Sequence, residues 1–125
     1  MPKRILIVDD EKDMVSVLLQ RLKAYGYEAA SAGDGEEALR KIRKESFDLI
    51  ILDILMPVIS GTELGQILKN DPKTKNIPVI FLTALGVKEK DTGYSIAGSD
   101  IVFAKPFDSK ELLDKIDELL GRTRP

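Results

Sequence analysis

Four short apolar runs and one weaker run recur along the chain, and stretches with a helical spacing of apolar positions separate them. A continuous apolar run such as Leu49–Leu52 is typical of a strand that is buried on both faces of a sheet. Such strands occur mainly in parallel sheets, where helices cover each face. The pattern therefore predicts strands at Arg4–Val8, Tyr27–Ser31, Leu49–Leu52, Pro78–Leu82 and Ile101–Ala104.

The stretches between these runs predict amphipathic helices. In the first of them, Val15, Leu18 and Leu22 recur at the spacing that places side chains on one helix face. Ser60 and Glu63 have the spacing of a capping box, which marks the start of a helix. The predicted helices are Lys12–Tyr25, Asp34–Glu45, a helix from Ser60 through Leu68, Val87–Ala97 and Asp108–Leu120.

Strands and helices that alternate in this way indicate an α/β fold. We expect a three-layer (βα)5 arrangement, which is a doubly wound parallel sheet with helices on both faces. The length of 125 residues suits one domain with a single sheet. We assign residues 1–121 to that domain and 122–125 to a tail or the start of a linker.

Composition narrows the function mainly by what the chain lacks. Histidine and cysteine are absent, which excludes histidine-dependent catalysis, disulfides and thiolate metal sites. A net charge of −2 gives no basic footprint for nucleic-acid binding by this segment. The first apolar run, Ile5–Val8, is too short for a signal peptide or a membrane span. These features favour a cytoplasmic domain that binds neither nucleic acid nor membrane.

Polar side chains stand at the carboxyl ends of four predicted strands. Asp9 and Asp10 follow the first strand, and Asp53 follows the third. Thr83 follows the fourth strand, and Lys105 follows the fifth. Because the carboxyl ends of parallel strands meet at one edge, where open α/β sheets bind ligands, we expect these side chains to converge.

Three carboxylates brought together repel one another, and a divalent cation removes that conflict. Their oxygen atoms are the ligands that Mg2+ prefers. Asp10 and Asp53 are candidates for direct ligands, and Asp9 is a candidate for a ligand that acts through water. The main-chain carbonyl of Leu55 could complete the protein ligands.

The two remaining side chains suit a phosphoryl group. Lys105 offers a mobile positive charge, and Thr83 offers a hydroxyl donor. Mg2+ usually keeps several waters, which leaves room for phosphate oxygens. The set predicts phosphoryl transfer by positioning and charge neutralisation, with Asp53 as the nucleophile.

These residues also resemble the motifs of response-regulator receiver domains, in order and at the expected spacing over nearly the whole chain. The resemblance rests on Val8-Asp9-Asp10, Asp53-Ile54-Leu55-Met56-Pro57 with Gly61, Thr83-Ala84 and Lys105-Pro106-Phe107. It implies a flavodoxin-like fold with strand order 2-1-3-4-5. It further implies that Asp53 accepts a phosphoryl group from the phospho-His of a sensor histidine kinase or a phosphotransfer protein. The matching acid pair would bind Mg2+, and Thr83 and Lys105 would contact the phosphoryl oxygens.

The same resemblance predicts a signalling switch and not an enzyme that turns over a separate substrate. Phosphorylation would shift a surface that binds a downstream effector protein or domain. The family positions that tune dephosphorylation match Leu55 and Leu85, and because both are apolar we expect slow self-dephosphorylation. The face formed by the fourth helix, fifth strand and fifth helix, with Tyr94, Ile96 and Phe103, is a candidate dimer surface. Core packing of these side chains is the alternative.

Three further residues bear on partners and switching. Met14 and Val17 lie beside or opposite the core stripe of the first helix, so they are candidates for docking a kinase helix. Val102 occupies the position where the family usually has a tyrosine or phenylalanine, so the usual coupling between that ring and the threonine is not expected.

Other functions remain open from the sequence. A receiver-like binding module that is never phosphorylated is one alternative, and Val102 favours it slightly. An aspartate-nucleophile phosphatase also uses a carboxylate and Mg2+, but Leu55 stands where such enzymes usually have a second aspartate. A flavin-binding protein is a weaker alternative, since a hydroxyl- and glycine-rich phosphate loop is not evident.

Overall fold

The computed structural model describes residues 2–54, 59–83, 94–96, 100–105 and 107–121. Strands and helices alternate along most of this length. In chain order the elements are β1 (Arg4–Val8), α1 (Lys12–Ala24), β2 (Glu28–Ala32), α2 (Gly35–Lys44), β3 (Leu49–Asp53), α3 (Gly61–Lys69), β4 (Val79–Thr83), β5 (Tyr94–Ile96), β6 (Asp100–Ala104) and α4 (Ser109–Leu119).

The strands form one sheet in the order β2-β1-β3-β4-β6-β5. Five of them, β1 to β4 and β6, run parallel to their neighbours. These five are the strands predicted from the apolar runs, and their order is the predicted 2-1-3-4-5. The prediction of a doubly wound, flavodoxin-like α/β fold is confirmed.

The sixth strand corrects one prediction. β5 lies within the predicted helix Val87–Ala97, and it pairs antiparallel with β6, with Tyr94 opposite Val102 and Ser95 opposite Ile101. Without β5, the backbone of β6 would present unpaired groups along an open edge, and pairing satisfies them. Tyrosine and isoleucine also favour strands. The remainder of that predicted helix lies outside the described residues.

The sheet has a hydrophobic core on each face, because successive residues of a strand point to opposite sides. On one face, Ile5 and Ile7 of β1 pack with residues of α1 and α4. On the other face, Leu6 and Val8 pack with residues of α2 and α3. The result is the expected three layers, with α1 and α4 on the same side of the sheet.

The side chains of Val102 and Phe103 in β6 lie in the hydrophobic cores on opposite faces of the sheet. Val102 is fully buried in the core on the α2 and α3 side. Phe103 is buried in the core on the α1 and α4 side, so core packing, and not a dimer surface, accounts for this ring. The side chains of Tyr94 and Ile96 lie outside what the structure describes, and the dimer surface stays a prediction.

Three of the four described helices begin with a side chain that caps the helix, and α1 does not. Asp34 begins α2, Ser60 begins α3 and Asp108 begins α4, and each of these side chains accepts a backbone hydrogen bond from the first turn. At α3 the predicted capping box with Glu63 is complete. Glu11 holds the same position before α1, but its side chain makes no capping hydrogen bond. No helix among the described residues has the length and apolar character that crossing a membrane requires.

Candidate functional site at the carboxyl ends of the strands

Three carboxylates converge at the carboxyl ends of β1 and β3. Val8 and Leu52 are register partners in these adjacent parallel strands, so the residues that follow them, Asp9 and Asp53, come side by side. One oxygen from each of Asp9, Asp10 and Asp53 lies within 4.8 Å of the other two. Asp9 is 3% exposed and Asp53 is 4% exposed, whereas Asp10 is exposed. The cluster is therefore buried on the sheet side and open toward solvent at Asp10.

The two oxygens of Asp9 have different surroundings. Oδ1 accepts a hydrogen bond of 2.9 Å from the backbone N–H of Glu11, which fixes the carboxylate at the start of α1. Oδ2 is buried and accepts no hydrogen bond, although the ammonium of Lys105 lies 2.8 Å away as an ion pair. This ion pair offsets part of the cost of burying the anionic oxygen, and a metal cation at the site would stabilise it further.

Lys105 brings the positive charge into this cluster. Its backbone N–H donates a hydrogen bond of 2.8 Å to the carbonyl of Thr83, which ties the end of β6 to the end of β4. Its Nζ lies 2.5 Å from Oε1 of Glu11, 2.8 Å from Oδ2 of Asp9 and 3.5 Å from Oδ2 of Asp53. The ammonium is thus shared among carboxylates and lies farthest from Asp53.

The electrostatics keep this amine charged. Burial lowers the pKa of Lys105, but the negative charges of the Asp9, Glu11 and Asp53 carboxylates around its ammonium outweigh burial, so the net pKa is raised above its ordinary value. The pattern of residues at the strand ends does not predict the contact of Lys105 with Glu11. Its only hint is an acidic residue directly after the acid pair.

The donor set fits a divalent cation. Asp9, Asp10 and Asp53 supply only carboxylate oxygens, the hard ligands that Mg2+ takes. The buried Oδ2 of Asp9 is an anionic atom without a hydrogen bond, so a metal ion would satisfy it. The exposed side of the cluster, at Asp10, leaves room for the waters that Mg2+ retains.

Thr83 and Gly61 complete the described part of the site. Thr83 is the last residue of β4 and is 2% exposed, so its position is fixed by the sheet. The N–H of Gly61 donates a hydrogen bond of 3.0 Å to the carbonyl of Ile54, which places the start of α3 against the end of β3. Leu55, the predicted main-chain ligand, and Leu85 lie outside the described residues.

The family model of the response regulator receiver domain matches residues 5–117. The chain therefore belongs to the response-regulator receiver family. A curated relative, the probable transcriptional regulator ycf27 of Cyanophora paradoxa, is 44% identical over 97% of this chain and 49% of its own length. The chain thus spans about half the length of this relative.

Two similar solved structures contain magnesium. The response regulator protein TrrA from Thermotoga maritima, in complex with Mg2+-BeF, is 40% identical, with a TM-score of 0.78 over 94% of this chain and 98% of that one. The receiver domain of a sensor histidine kinase from Pseudomonas aeruginosa has a magnesium ion coordinated in its active site cleft. It is 27% identical, with a TM-score of 0.82 over 97% of this chain and 99% of that one.

Proposed function

We propose that this domain is a phosphorylation-operated switch and that Asp53 is its phosphoacceptor. The observation that carries the proposal is the buried carboxylate of Asp53 at a strand end, clustered with Asp9 and Asp10 and 3.5 Å from the ammonium of Lys105. This combination supplies a nucleophile and an opposite charge for phosphoryl oxygens at one place. Family membership supports the same function.

The donor would be the phospho-His of a sensor histidine kinase or a phosphotransfer protein. A carboxylate oxygen of Asp53 forms a bond to phosphorus while the P–N bond of the donor breaks, and the electron pair of that bond leaves on the imidazole nitrogen. Since this chain has no histidine, the phosphohistidine must come from outside these 125 residues.

Each neighbouring side chain has a proposed role in that transfer. Asp9, Asp10 and Asp53 would hold Mg2+, with the carbonyl of Leu55 as a further ligand. When bound, Mg2+ neutralises charge on the phosphoryl oxygens. Lys105 binds a phosphoryl oxygen through its ammonium, and Thr83 donates a hydrogen bond from its hydroxyl.

Uptake of phosphate from a small donor tests this function. Incubation of the domain with Mg2+ and acetyl phosphate is expected to add one phosphoryl group by intact mass, and a chelator is expected to prevent it. No uptake, together with no binding of Mg2+ or beryllofluoride, would favour the non-phosphorylated binding module. Turnover of small phosphomonoesters would favour the phosphatase alternative.

A groove between α1 and the start of α4 is the proposed docking surface for the phosphodonor protein. Val17 is 51% exposed on α1, which is high for an apolar side chain beside a charged site. The groove has a volume of about 570 Å³ and reaches the site at one end. It is lined by Glu11, Met14, Val17, Leu18, Lys105, Phe107 and Ser109. An apolar helix face seated here would bring its phosphohistidine toward Asp53.

Met14→Lys and Val17→Lys are expected to slow phosphotransfer from the cognate phosphohistidine protein by about tenfold or more, because each places a charge in an apolar contact. Uptake from acetyl phosphate should stay at the wild-type rate, since the small donor needs no groove. Ile67→Lys is the matched control, because Ile67 is 44% exposed on α3, across the sheet from α1. Equal slowing in the control, or unchanged transfer in the α1 variants, would remove the groove from the proposal.

The output of the switch is also a proposal. The relative from Cyanophora paradoxa is named a probable transcriptional regulator. For this chain we expect phosphorylation to act on a downstream effector protein or domain. A cytoplasmic location and slow self-dephosphorylation remain predictions from the sequence.

A further inference from the structure

Glu11 holds the N-cap position of α1 without capping the helix. Its backbone has the extended conformation of a cap, at φ −82° and ψ 93°, yet its side chain accepts no hydrogen bond from the first turn. The short side chains Asp34, Ser60 and Asp108 perform that role at the other three described helices. Short polar side chains are preferred there because their oxygen atoms reach the first N–H groups. Glutamate therefore costs α1 a favourable cap.

The side chain of Glu11 instead reaches Lys105, 94 positions away in the sequence. Of the three carboxylates in ion-pair contact with Nζ, Glu11 is the closest at 2.5 Å and Asp53 is the most distant at 3.5 Å. Asp9 and Asp53 also belong to the carboxylate cluster that fits a divalent cation, whereas Glu11 does not. Glu11 is thus the one of these three carboxylates that would stay available to Lys105 if a cation engaged the other two.

We propose that Glu11 is a positioning residue that holds the ammonium of Lys105 at the mouth of the site and competes with phosphoryl oxygens for it. This inference rests on the proposed function, in which Lys105 binds the phosphoryl group. The side chain of Lys105 is 12% exposed, so it has few other directions in which to move, while that of Glu11 is 57% exposed and faces solvent. The competition lowers the affinity of the resting site for a phosphoryl group.

The main test compares beryllofluoride affinity in saturating Mg2+ for the wild type, Glu11→Gln and Asp13→Asn. Amide NMR can follow binding, since the chain has no tryptophan to serve as a fluorescence probe. Glu11→Gln is expected to bind beryllofluoride roughly two- to fivefold more tightly. This range corresponds to the small free energy that an ion pair with one solvent-exposed partner contributes. Asp13→Asn removes the same charge from the first turn of α1, and Asp13 is not among the ion-pair partners that the described residues give Lys105. It should bind like the wild type.

A Lys105→Ala background separates the positioning role of Glu11 from a general effect of its negative charge on beryllofluoride binding. In Lys105→Ala, the additional change Glu11→Gln is expected to have no effect on beryllofluoride affinity, because the competed ammonium is gone. In chelator, the ε-methylene NMR resonance of Lys105 is expected to shift in Glu11→Gln and to stay in place in Asp13→Asn.

The outcomes distinguish the two proposals. A wild type that fails to bind beryllofluoride would refute the proposed function itself. A wild type that binds, with Glu11→Gln equal to the wild type or to Asp13→Asn, would overturn the role of Glu11 alone. Tighter binding that persists in the Lys105→Ala background would overturn it as well, because the effect would then not pass through the ammonium.

Discussion

Asp53→Asn is expected to take up no phosphoryl group from acetyl phosphate and Mg2+ under conditions in which the wild type gains one. An amide is a poor nucleophile at phosphorus, and the substitution also removes one carboxylate from the cluster with Asp9 and Asp10. Intact mass spectrometry reads the result directly, and release of the group by hydroxylamine identifies an acyl phosphate in the wild type.

Asp114→Asn is the control for the same change of side chain at a solvent-exposed position. Asp114 lies on α4 and pairs with Lys110, with 56% of its side chain exposed. This variant should be modified to the wild-type extent. Modification that survives in Asp53→Asn would assign the phosphoacceptor to another residue and remove the basis of the proposed function.

The sequence was sufficient to predict the fold and the convergence of the carboxylates. A run such as Leu49–Leu52 is short and apolar at every position, which is typical of a strand covered on both faces. Once the strands are parallel, topology places the residues after them at one edge, so Asp9 and Asp53 had to be neighbours if β1 and β3 were adjacent. The resemblance to receiver domains supplied that adjacency.

Two features depend on tertiary contacts that no local pattern encodes. β5 is only three residues long, so its pairing with β6, and not its own propensity, decides that it is a strand. The contact between Glu11 and Lys105 joins residues 94 positions apart, and they meet because the parallel strands β1 and β6 end at the same edge of the sheet. The spacing of charges in the sequence could not distinguish this contact from a solvated glutamate.

Gly61→Ala is expected to destabilise the domain by about 3 kcal/mol, at the upper end of the cost of overpacking. A Cβ at this position would lie 2.1 Å from the carbonyl oxygen of Asp53 and 2.8 Å from Cα of Ile54. Because both contacts are with backbone atoms, rotation of a side chain cannot relieve them. The start of α3 would have to move away from β3 or displace Asp53, the proposed phosphoacceptor, so Mg2+ affinity and phosphate uptake should fall together with stability.

Gly33→Ala and Gly65→Ala provide a graded comparison in urea unfolding. A Cβ at Gly33 has its nearest contact at 3.7 Å, with the side chain of Glu37, so a change within about 0.5 kcal/mol is expected. A Cβ at Gly65 comes within 2.8 Å of the ring of Phe81, which can adjust, so an intermediate loss is expected. If Gly61→Ala proved as stable as Gly33→Ala, the start of α3 could move at no cost. The carbonyl of Asp53 would then not be held by the close approach of Gly61.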